Sequence, residues 1–401
     1  MLNRLFSAPR MCRAALALSL LSCLFSPALH AQEYYVVPWL IVETYYDDNA
    51  LFNPDTQEQT SDIVLRVSPR LDVGYISGTL NWELSYRNDA EWYRDLSYLD
   101  STTARGFGRG TINYTPNRRL SMNGAVDYVK TNSAEDITLI PGEDIPGRFG
   151  RADAERFGVS GGVDYLFTQN LTGSVDVRWV RDELIDVSDS DNFNVVALLE
   201  QSLARNRSLL YGYRYRDYEF NRRINTDPVQ NLTTTADSHT PWIGYTHRVS
   251  EISDFELRAG PRFSDAEFAG SEVDPYLLAR WSRQYDRGDF SVTAQWDETT
   301  VLAETGPVDS KSIRAGWNHV FTESFDAGST ATYAQVSGTG YEADTASFGV
   351  FANYRFNRYV YLTGRYRFSV QDVDRDPLSN RRIDRNLISV AITFTRPRSG
   401  A

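Results

Sequence analysis

The chain has very little sulfur and no long apolar run. Of its 401 residues only two are cysteines, Cys12 and Cys23, and three are methionines. Both cysteines lie before residue 32, so the remainder can form neither a disulfide nor a thiolate metal site. Nowhere does the sequence contain the roughly 20 consecutive apolar residues of a membrane-spanning helix, which excludes a bundle of such helices.

Lysine is also scarce, and positive charge is in the minority. The 41 basic residues, nearly all arginine, stand against 53 acidic residues and give a net charge of −12. This balance argues against nucleic acid as a partner, and we expect none. Aromatic residues are abundant at 13%, with 24 Tyr, 20 Phe and 8 Trp, and this bias favours β-structure.

Residues 1–31 have the features of an export signal. Arg4, Arg10 and Arg13 precede an apolar run over 14–25, and residues 27–31 offer a cleavage site. We therefore predict a signal peptide at 1–31 and a mature domain at 32–401. The alternatives are a retained transmembrane helix and a lipoprotein signal acylated at Cys23. Cleavage would leave 38 basic against 53 acidic residues, a net charge of −15.

From residue 34 onward, segments of about ten residues alternate between apolar and polar side chains. The clearest examples lie at 80–87, 171–179 and 290–297. Alternation of this kind predicts β-strands with one apolar and one polar face. About eighteen such segments can be distinguished, within a range of 16–20, and no comparable stretch has a helical period.

Short and long connections alternate between these strands. Tight turns such as 76–78, 168–170 and 322–324 separate long links rich in Asp, Glu, Asn, Thr and Pro. The long links are expected at 47–62, 131–154, 182–192, 217–238, 298–310 and 369–385. The predicted fold class is therefore all-β, a transmembrane antiparallel up-and-down β-barrel with turns at the periplasmic rim and loops outside.

A soluble β-sandwich or propeller would also contain alternating strands. Here, however, the apolar faces end repeatedly in aromatic residues, as at Trp82 and Tyr86 or Tyr165 and Phe167, which is typical of the girdles of membrane barrels. Lipid offers no hydrogen-bond partner, so a spanning sheet must close on itself. We therefore expect a place in the outer membrane of a Gram-negative bacterium, with outer-membrane lipids and the barrel assembly machinery as partners.

One part of the sequence resembles a known family. The resemblance covers residues 43–52, which read Glu-Thr-Tyr-Tyr-Asp-Asp-Asn-Ala-Leu-Phe, followed by Ser61-Asp62-Ile63 and by Val67-Ser68-Pro69-Arg70-Leu71. These residues are similar to the opening hairpin of the β-barrel porin type 2 family of outer-membrane barrels. The resemblance implies a channel for polysaccharide secretion, with periplasmic polysaccharide-export components as partners. It implies no catalytic residues.

The strand positions opposite to the apolar face should line the lumen, and they are rich in arginine. The predicted pore-lining residues are Arg66, Arg70, Arg87, Arg105, Arg109, Arg156, Arg178, Arg214, Arg216, Arg258, Arg262, Arg280, Arg314, Arg355, Arg365 and Arg367. The same positions hold ten acids: Asp72, Glu83, Asp127, Asp164, Asp176, Glu200, Asp254, Glu256, Asp297 and Asp326.

This count predicts a lumen with an excess of about six positive charges, which would favour anions. The alternative is that lumenal arginines and acids pair across neighbouring strands and rigidify the wall; arginine suits both accounts. A barrel of this size encloses an aqueous channel unless loops fold inward. The links at 131–154 and 217–238 are long enough to do so.

Other motifs give no sign of chemistry. Ser160 lies in a G-x-S-x-G pattern, but strand alternation runs through it, whereas a nucleophile elbow needs a strand-to-helix turn. Asp372, Asp374 and Asp376 have spacings that could hold calcium, as do Asp186, Asp189 and Asp191, but solvated loop acids are the simpler interpretation. We expect no enzymatic activity and no cofactor.

The leading hypothesis is a passive outer-membrane channel that exports an exopolysaccharide through an arginine-biased lumen. A general or substrate-specific uptake porin is the alternative. A third hypothesis is a structural or adhesive barrel with a plugged interior and acidic loops.

Overall fold

The computed structural model describes residues 33–133, 151–185, 187–224, 230–267, 270–300, 306–338, 341–374 and 381–396. These residues contain eighteen strands, as predicted. The strands are β1 Glu33–Asp47, β2 Asp62–Ile76, β3 Leu80–Tyr93, β4 Ser101–Asn117, β5 Leu120–Ser133, β6 Arg151–Thr168, β7 Leu171–Leu184, β8 Ser188–Ala204, β9 Arg207–Ile224, β10 Gln230–Ser250, β11 Ser253–Ala266, β12 Gly270–Tyr285, β13 Gly288–Thr299, β14 Val308–Thr322, β15 Phe325–Gly338, β16 Tyr341–Asn357, β17 Val360–Asp374 and β18 Arg381–Thr395.

The strands form one closed antiparallel barrel. Each strand pairs with its neighbours in sequence, and β1 also pairs with β18, from Trp39↔Thr395 to Asp47↔Leu387. The predicted fold class is therefore confirmed. In the residues described, a single 3-10 turn at Ser97–Leu99 interrupts the strands and turns.

A search of the described residues finds no helix long and apolar enough to cross a bilayer.

The outer and inner faces of the wall differ in polarity. Outward positions are apolar and remain exposed, as in Leu84 at 50% and Tyr86 at 52%, whereas inward positions such as Ser369 and Gln371 are almost fully buried and polar. A soluble protein places its apolar faces in the core. An apolar exterior around a polar interior is the arrangement of a barrel wall immersed in lipid.

Several long links are shorter than expected because the strands extend further. The expected link at 217–238 is mostly strand, since β9 runs to Ile224 and β10 begins at Gln230. The expected links at 182–192 and 369–385 likewise shrink, because β7 ends at Leu184 and β17 at Asp374. The predicted boundaries were wrong here because the pattern inverts at these strand ends. In β9 the inward residues Tyr218 and Phe220 are apolar and buried, whereas the outward residues Asp217 and Glu219 are polar and exposed.

Prolines coincide with two gaps in the ladders of the sheet. The β2–β3 ladder lacks its pairs between Val67↔Ala90 and Arg70↔Arg87, where Pro69 lies. The β10–β11 ladder is broken between His239↔Phe263 and Ile243↔Ala259, around Pro241 and Pro261. Proline has no N–H for a ladder hydrogen bond, so each ladder is broken where a donor is missing.

Pro275 explains where the β12–β13 ladder ends. Gln284 N–H donates to Ile252 O on the β11 side, so alternation directs the N–H groups of odd-numbered β12 residues toward β13. The ladder ends at Leu277↔Trp296, although β12 still pairs with β11 as far as Gly270 and β13 with β14 as far as Thr299. The next N–H directed toward β13 would belong to residue 275, but this residue is a proline and has no N–H. The Glu298 N–H bonds to Asp297 Oδ1 instead, at 2.9 Å.

The segment that carries the family resemblance builds the closure of the barrel. Asp47 forms an ion pair with Arg385 of β18, with Nε 2.9 Å from Oδ1, and both residues are buried. Asp48 Oδ2 accepts a hydrogen bond from the Asn386 amide at 2.6 Å. Phe52, which has a positive φ of 58°, packs on Ile383 and beneath the Arg385 guanidinium. These contacts join the first strand to the last.

We predict that Asp47→Asn destabilises the barrel, because it leaves the buried Arg385 without its counter-charge. The free energy of unfolding should fall by about 3 kcal/mol, measured by urea titration in lipid vesicles. The exposed pair of Arg382 and Asp55, 3.5 Å apart, provides the control. Arg382→Gln should cost less than about 1 kcal/mol. Equal losses in the two variants would contradict a special role for the buried pair.

Candidate functional site

All sixteen predicted lumenal arginines lie on the strand face opposite to the exposed apolar side chains. Whether they line a conducting pore remains a prediction. Within the described residues at least ten of them form ion pairs: Arg66, Arg70, Arg87, Arg105, Arg109, Arg156, Arg214, Arg216, Arg258 and Arg262. The remaining six on this face are Arg178, Arg280, Arg314, Arg355, Arg365 and Arg367.

The expected excess of six positive charges is not found. Further acids lie on the inner face or fold against it, and most of them pair with the predicted arginines. These acids are Glu43, Asp47, Asp89, Glu91, Asp182, Asp274, Glu298 and Asp309. Against these eight acids, the structure adds one buried arginine to the sixteen predicted, Arg385. The prediction of a net positive lumen was therefore wrong. Seven of the ten ion-paired arginines pair across strands, whereas Arg70, Arg87 and Arg258 pair with an acid two residues away on their own strand.

Glu91 shows how closely these charges are paired. Its carboxylate is fully buried on β3, 2.7 Å from Arg66 of β2 and 3.4 Å from Arg105 of β4. The hydroxyls of Tyr45 and Tyr93 donate to the same carboxylate at 3.3 and 3.0 Å. Four side chains from four strands therefore converge on one acid, which holds this part of the wall in a fixed geometry.

A cavity of about 800 Å³ opens along the inner wall of β1–β5, β17 and β18. We call it the arginine cavity. Six arginines line it, along with four acids and the hydroxyls of Ser68, Ser85, Thr111, Thr363 and Thr393. The arginines are Arg66, Arg70, Arg87, Arg105, Arg109 and Arg365, and the acids are Glu43, Glu83, Asp89 and Asp127.

Two guanidinium groups in this cavity remain available to a ligand. Arg365 is exposed and forms no ion pair in the part of the chain that the structure describes. The Arg109 side chain is 56% exposed, and its carboxylate partner, Asp127, is 3.7 Å away. A guanidinium binds a carboxylate or a phosphate through two parallel hydrogen bonds. The cavity can therefore hold an anionic group among hydroxyls.

An apolar patch covers another part of the inner wall. Leu198, Leu210, Trp242, Tyr276 and Leu278 pack together across β8, β9, β10 and β12. The Trp242 ring lies against the backbone of β9 at Gly212, where a Cβ would be 2.0 Å from ring atoms. The patch lies beneath charged groups, because the Arg258 and Arg214 guanidinium groups sit over Trp242 and Tyr276, at 4.6 and 4.7 Å from the ring centroids.

The end of the β13–β14 hairpin folds into the lumen. Glu298 of β13 and Asp309 of β14 are opposite each other in the β13–β14 ladder. They lie on the same face of the hairpin as Trp296 and Lys311, the next outward-facing pair. Even so, Glu298 hydrogen-bonds to Ser238 of β10 and Ser264 of β11, both of which point inward. The outer face of the hairpin end therefore rests on the inner face of the wall. We call the paired segments 297–299 and 308–310 the latch.

Ion pairs hold the latch on the wall. Asp297 lies 2.6 Å from Arg214 and 3.2 Å from Arg216 of β9. Arg262 of β11 contacts Asp309 at 2.9 Å, Asp274 at 2.9 Å and Glu298 at 3.6 Å. The described residues thus show inward folding at the expected link 298–310. The sequence interpretation had assigned it to 131–154, of which 134–150 lie outside the described residues, and to 217–238, which is mostly strand.

The described residues of the remaining motifs lie within strands. Ser160 lies within β6, between Ala125 of β5 and Arg178 of β7, with no strand-to-helix turn. Asp189 and Asp191 lie on β8, each 3.6 Å from Arg181, and Asp372 and Asp374 lie on β17. A search of the described residues finds no group of three potential metal ligands. The predicted signal at 1–31, Asp186 and Asp376 lie outside the described residues.

No protein-family model matches the chain, and no curated protein matches it in sequence. The resemblance to the β-barrel porin type 2 family therefore remains an expectation. Among similar solved structures, Pseudomonas aeruginosa OpdL has 13% identity over 91% of this chain and 99% of its own, with a TM-score of 0.45. Pseudomonas aeruginosa OpdQ has 12% identity over 91% of this chain and 98% of its own, with a TM-score of 0.43. The FrpB iron transporter of Neisseria meningitidis has 10% identity over 90% of this chain and 82% of its own, with a TM-score of 0.44.

The class of protein follows from the barrel itself. A closed sheet leaves no unpaired edge strand, its outer wall is apolar and its inner wall is polar. Together these features define a transmembrane β-barrel of the bacterial outer-membrane type.

We predict that Gly212→Ala disturbs the apolar patch, since the new Cβ would displace the Trp242 ring. The free energy of unfolding should fall by about 2 kcal/mol in urea titrations. Gly364 of β17 provides the matched control, because a Cβ there would meet no atom of the described residues within 4 Å, its chain neighbours aside. Gly364→Ala should change stability by less than about 0.5 kcal/mol. An unchanged Gly212→Ala barrel would show that the ring does not need the glycine.

Proposed function

We propose that this protein is a passive outer-membrane channel that passes acidic carbohydrate. The arginine cavity is the observation that carries the proposal. It presents the guanidinium groups of Arg365 and Arg109 beside the hydroxyls of Thr111, Thr363 and Thr393. Guanidinium groups suit carboxylates, and hydroxyls suit the hydroxyl groups of a sugar. The ion pairs elsewhere keep the wall rigid. Arg365 has no ion-pair partner among the described residues, and the exposed Arg109 has a long ion pair of 3.7 Å with Asp127.

Two directions of transport have different support. The family resemblance of residues 43–71 favours secretion of an exopolysaccharide. The latch favours uptake of short acidic sugars, because a structure folded into the lumen narrows the passage and a short solute passes a narrow channel more easily than a hydrated polymer. The site chemistry is the same in both cases.

We predict that Arg365→Ala lowers the preference of the channel for anions. Reversal potentials in planar bilayers under a salt gradient measure this preference. The loss of an exposed cation that has no ion-pair partner among the described residues should reduce the anion-to-cation permeability ratio about twofold. Arg118→Ala, in the tight turn after β4, is the control and should leave the ratio unchanged. A cation-selective wild type, or equal effects of the two changes, would contradict the proposed site.

Two further observations separate the functions. A barrel that passes no current at any voltage would support a plugged structural or adhesive role and overturn the proposed channel. A deletion strain that loses its surface polysaccharide would support export. Unchanged polysaccharide together with slower growth on galacturonate would support uptake.

A further inference from the structure

We infer that the latch carboxylates occupy an anion-binding site of the lumen, and that an acidic solute opens the channel by displacing them. This inference rests on the proposed channel function and names a second site for the same class of solute. Asp297, Glu298 and Asp309 would act as tethered substitutes for the carboxylate of the solute.

The first argument is that side-chain contacts, and not a β-ladder, attach the latch to the neighbouring wall. Pro275 removes the backbone donor that would extend the β12–β13 ladder beyond Leu277↔Trp296. On that side, each described contact of the latch uses at least one side chain. Asp297 pairs with Arg214 and Arg216, Asp309 pairs with Arg262, Glu298 accepts from Ser238 and Ser264, and its backbone O accepts from Arg216. Such ion pairs can exchange one carboxylate for another without breaking a β-ladder.

The second argument is that these arginines have binding capacity that the latch does not use. Arg262 has a side chain only 3% exposed, yet its Nη1 atom has no hydrogen-bond partner among the described residues, and its Nε lies 3.6 Å from Glu298 Oε2, beyond hydrogen-bond distance. Arg214 Nε is likewise buried without such a partner. Buried guanidinium donors are normally satisfied, so their orphan state points to a ligand that would make these bonds.

The third argument is an adjoining cavity of about 290 Å³ between the latch and the wall. Arg178, Arg214 and Arg216 line it with the amides of Asn192 and Asn194. The Oδ1 atoms of both asparagines are buried, again without a hydrogen-bond partner in the described part of the chain. Amide oxygens accept hydrogen bonds from hydroxyl groups, so the site suits a solute with both a carboxylate and hydroxyls, such as a uronic acid.

Single-channel recording with galacturonate as the probe and galactose as its neutral analogue tests the inference. In the wild type, millimolar galacturonate should raise the open fraction about tenfold, and galactose should not change it. Simple block of an open pore would have the opposite sign, a fall in current. A wild type whose open fraction does not respond to galacturonate would overturn the inference.

Neutralising the latch should mimic the ligand. Asp297→Asn with Glu298→Gln should give a mostly open channel on which galacturonate has no further effect. The control is Asp189→Asn with Asp191→Asn, which removes two carboxylates from Arg181 on the outer face of β7 and β8. It should respond to galacturonate like the wild type. A neutralised latch that keeps the wild-type open fraction would also overturn the inference.

A reversible cross-link provides a second measurement. Residues 32–401 contain no cysteine, so Ser238→Cys with Glu298→Cys introduces a single thiol pair at a contact between latch and wall. When joined by a short disulfide-forming cross-linker, the channel should stay at low conductance with or without galacturonate. Reduction should raise the open fraction, because it frees a latch that lacks the Glu298 carboxylate. A cross-linked channel that still responds would exclude movement of the latch.

The experiments distinguish the two proposals. If the wild type, the neutralised latch and the reduced cysteine variant all pass no current while folding correctly, as shown by heat-modifiable migration in gels, the channel function fails. If they conduct but galacturonate leaves the open fraction of the wild type unchanged, the channel stands and the latch inference fails.

Discussion

The structure depends on one constraint, that backbone N–H and C=O groups facing lipid must find partners within the sheet. Eighteen strands satisfy it by closing, with β1 paired to β18. In three of the ladders, pairs are missing where a proline has removed the donor. Pro69, Pro241, Pro261 and Pro275 coincide with the breaks in three ladders. The inward fold of the β13–β14 end begins at the last of these breaks, so one missing N–H helps to shape the lumen.

The sequence was sufficient for the barrel and its inner and outer faces. Alternation such as that of 80–87 requires a strand with two environments. The sixteen arginines were assigned to the inner face because each lies at a polar position of such an alternating segment. It failed beyond the apolar belt, where the pattern inverts. β9 continues to Ile224 and β10 starts at Gln230, but there the inward residues Tyr218 and Phe220 are apolar and the outward residues Asp217 and Glu219 are polar.

The charge of the lumen was misjudged for the same reason. Asp89, Glu91, Asp182, Glu298 and Asp309 lie at strand ends, just beyond the alternating segments, and so escaped the count. Which arginine meets which acid was also out of reach, since Asp297 and Arg214 are 83 residues apart and meet only because the hairpin end bends inward. The prolines within strands were the available signal for that bend, because a proline in a central strand marks a bulge or a break.

The contacts at the closure link residues 338 positions apart, such as Asp47 with Arg385 and Asp48 with Asn386. Until β18 is in place, the carboxylate of Asp47 and the amide of Asn49, which bonds to Asp384 O, have no partners on that side. The early part of the chain therefore carries polar groups that only its last strand can satisfy. A chain truncated before β18 would be left with an open, charged edge, so the arrangement favours release into the bilayer of complete barrels alone.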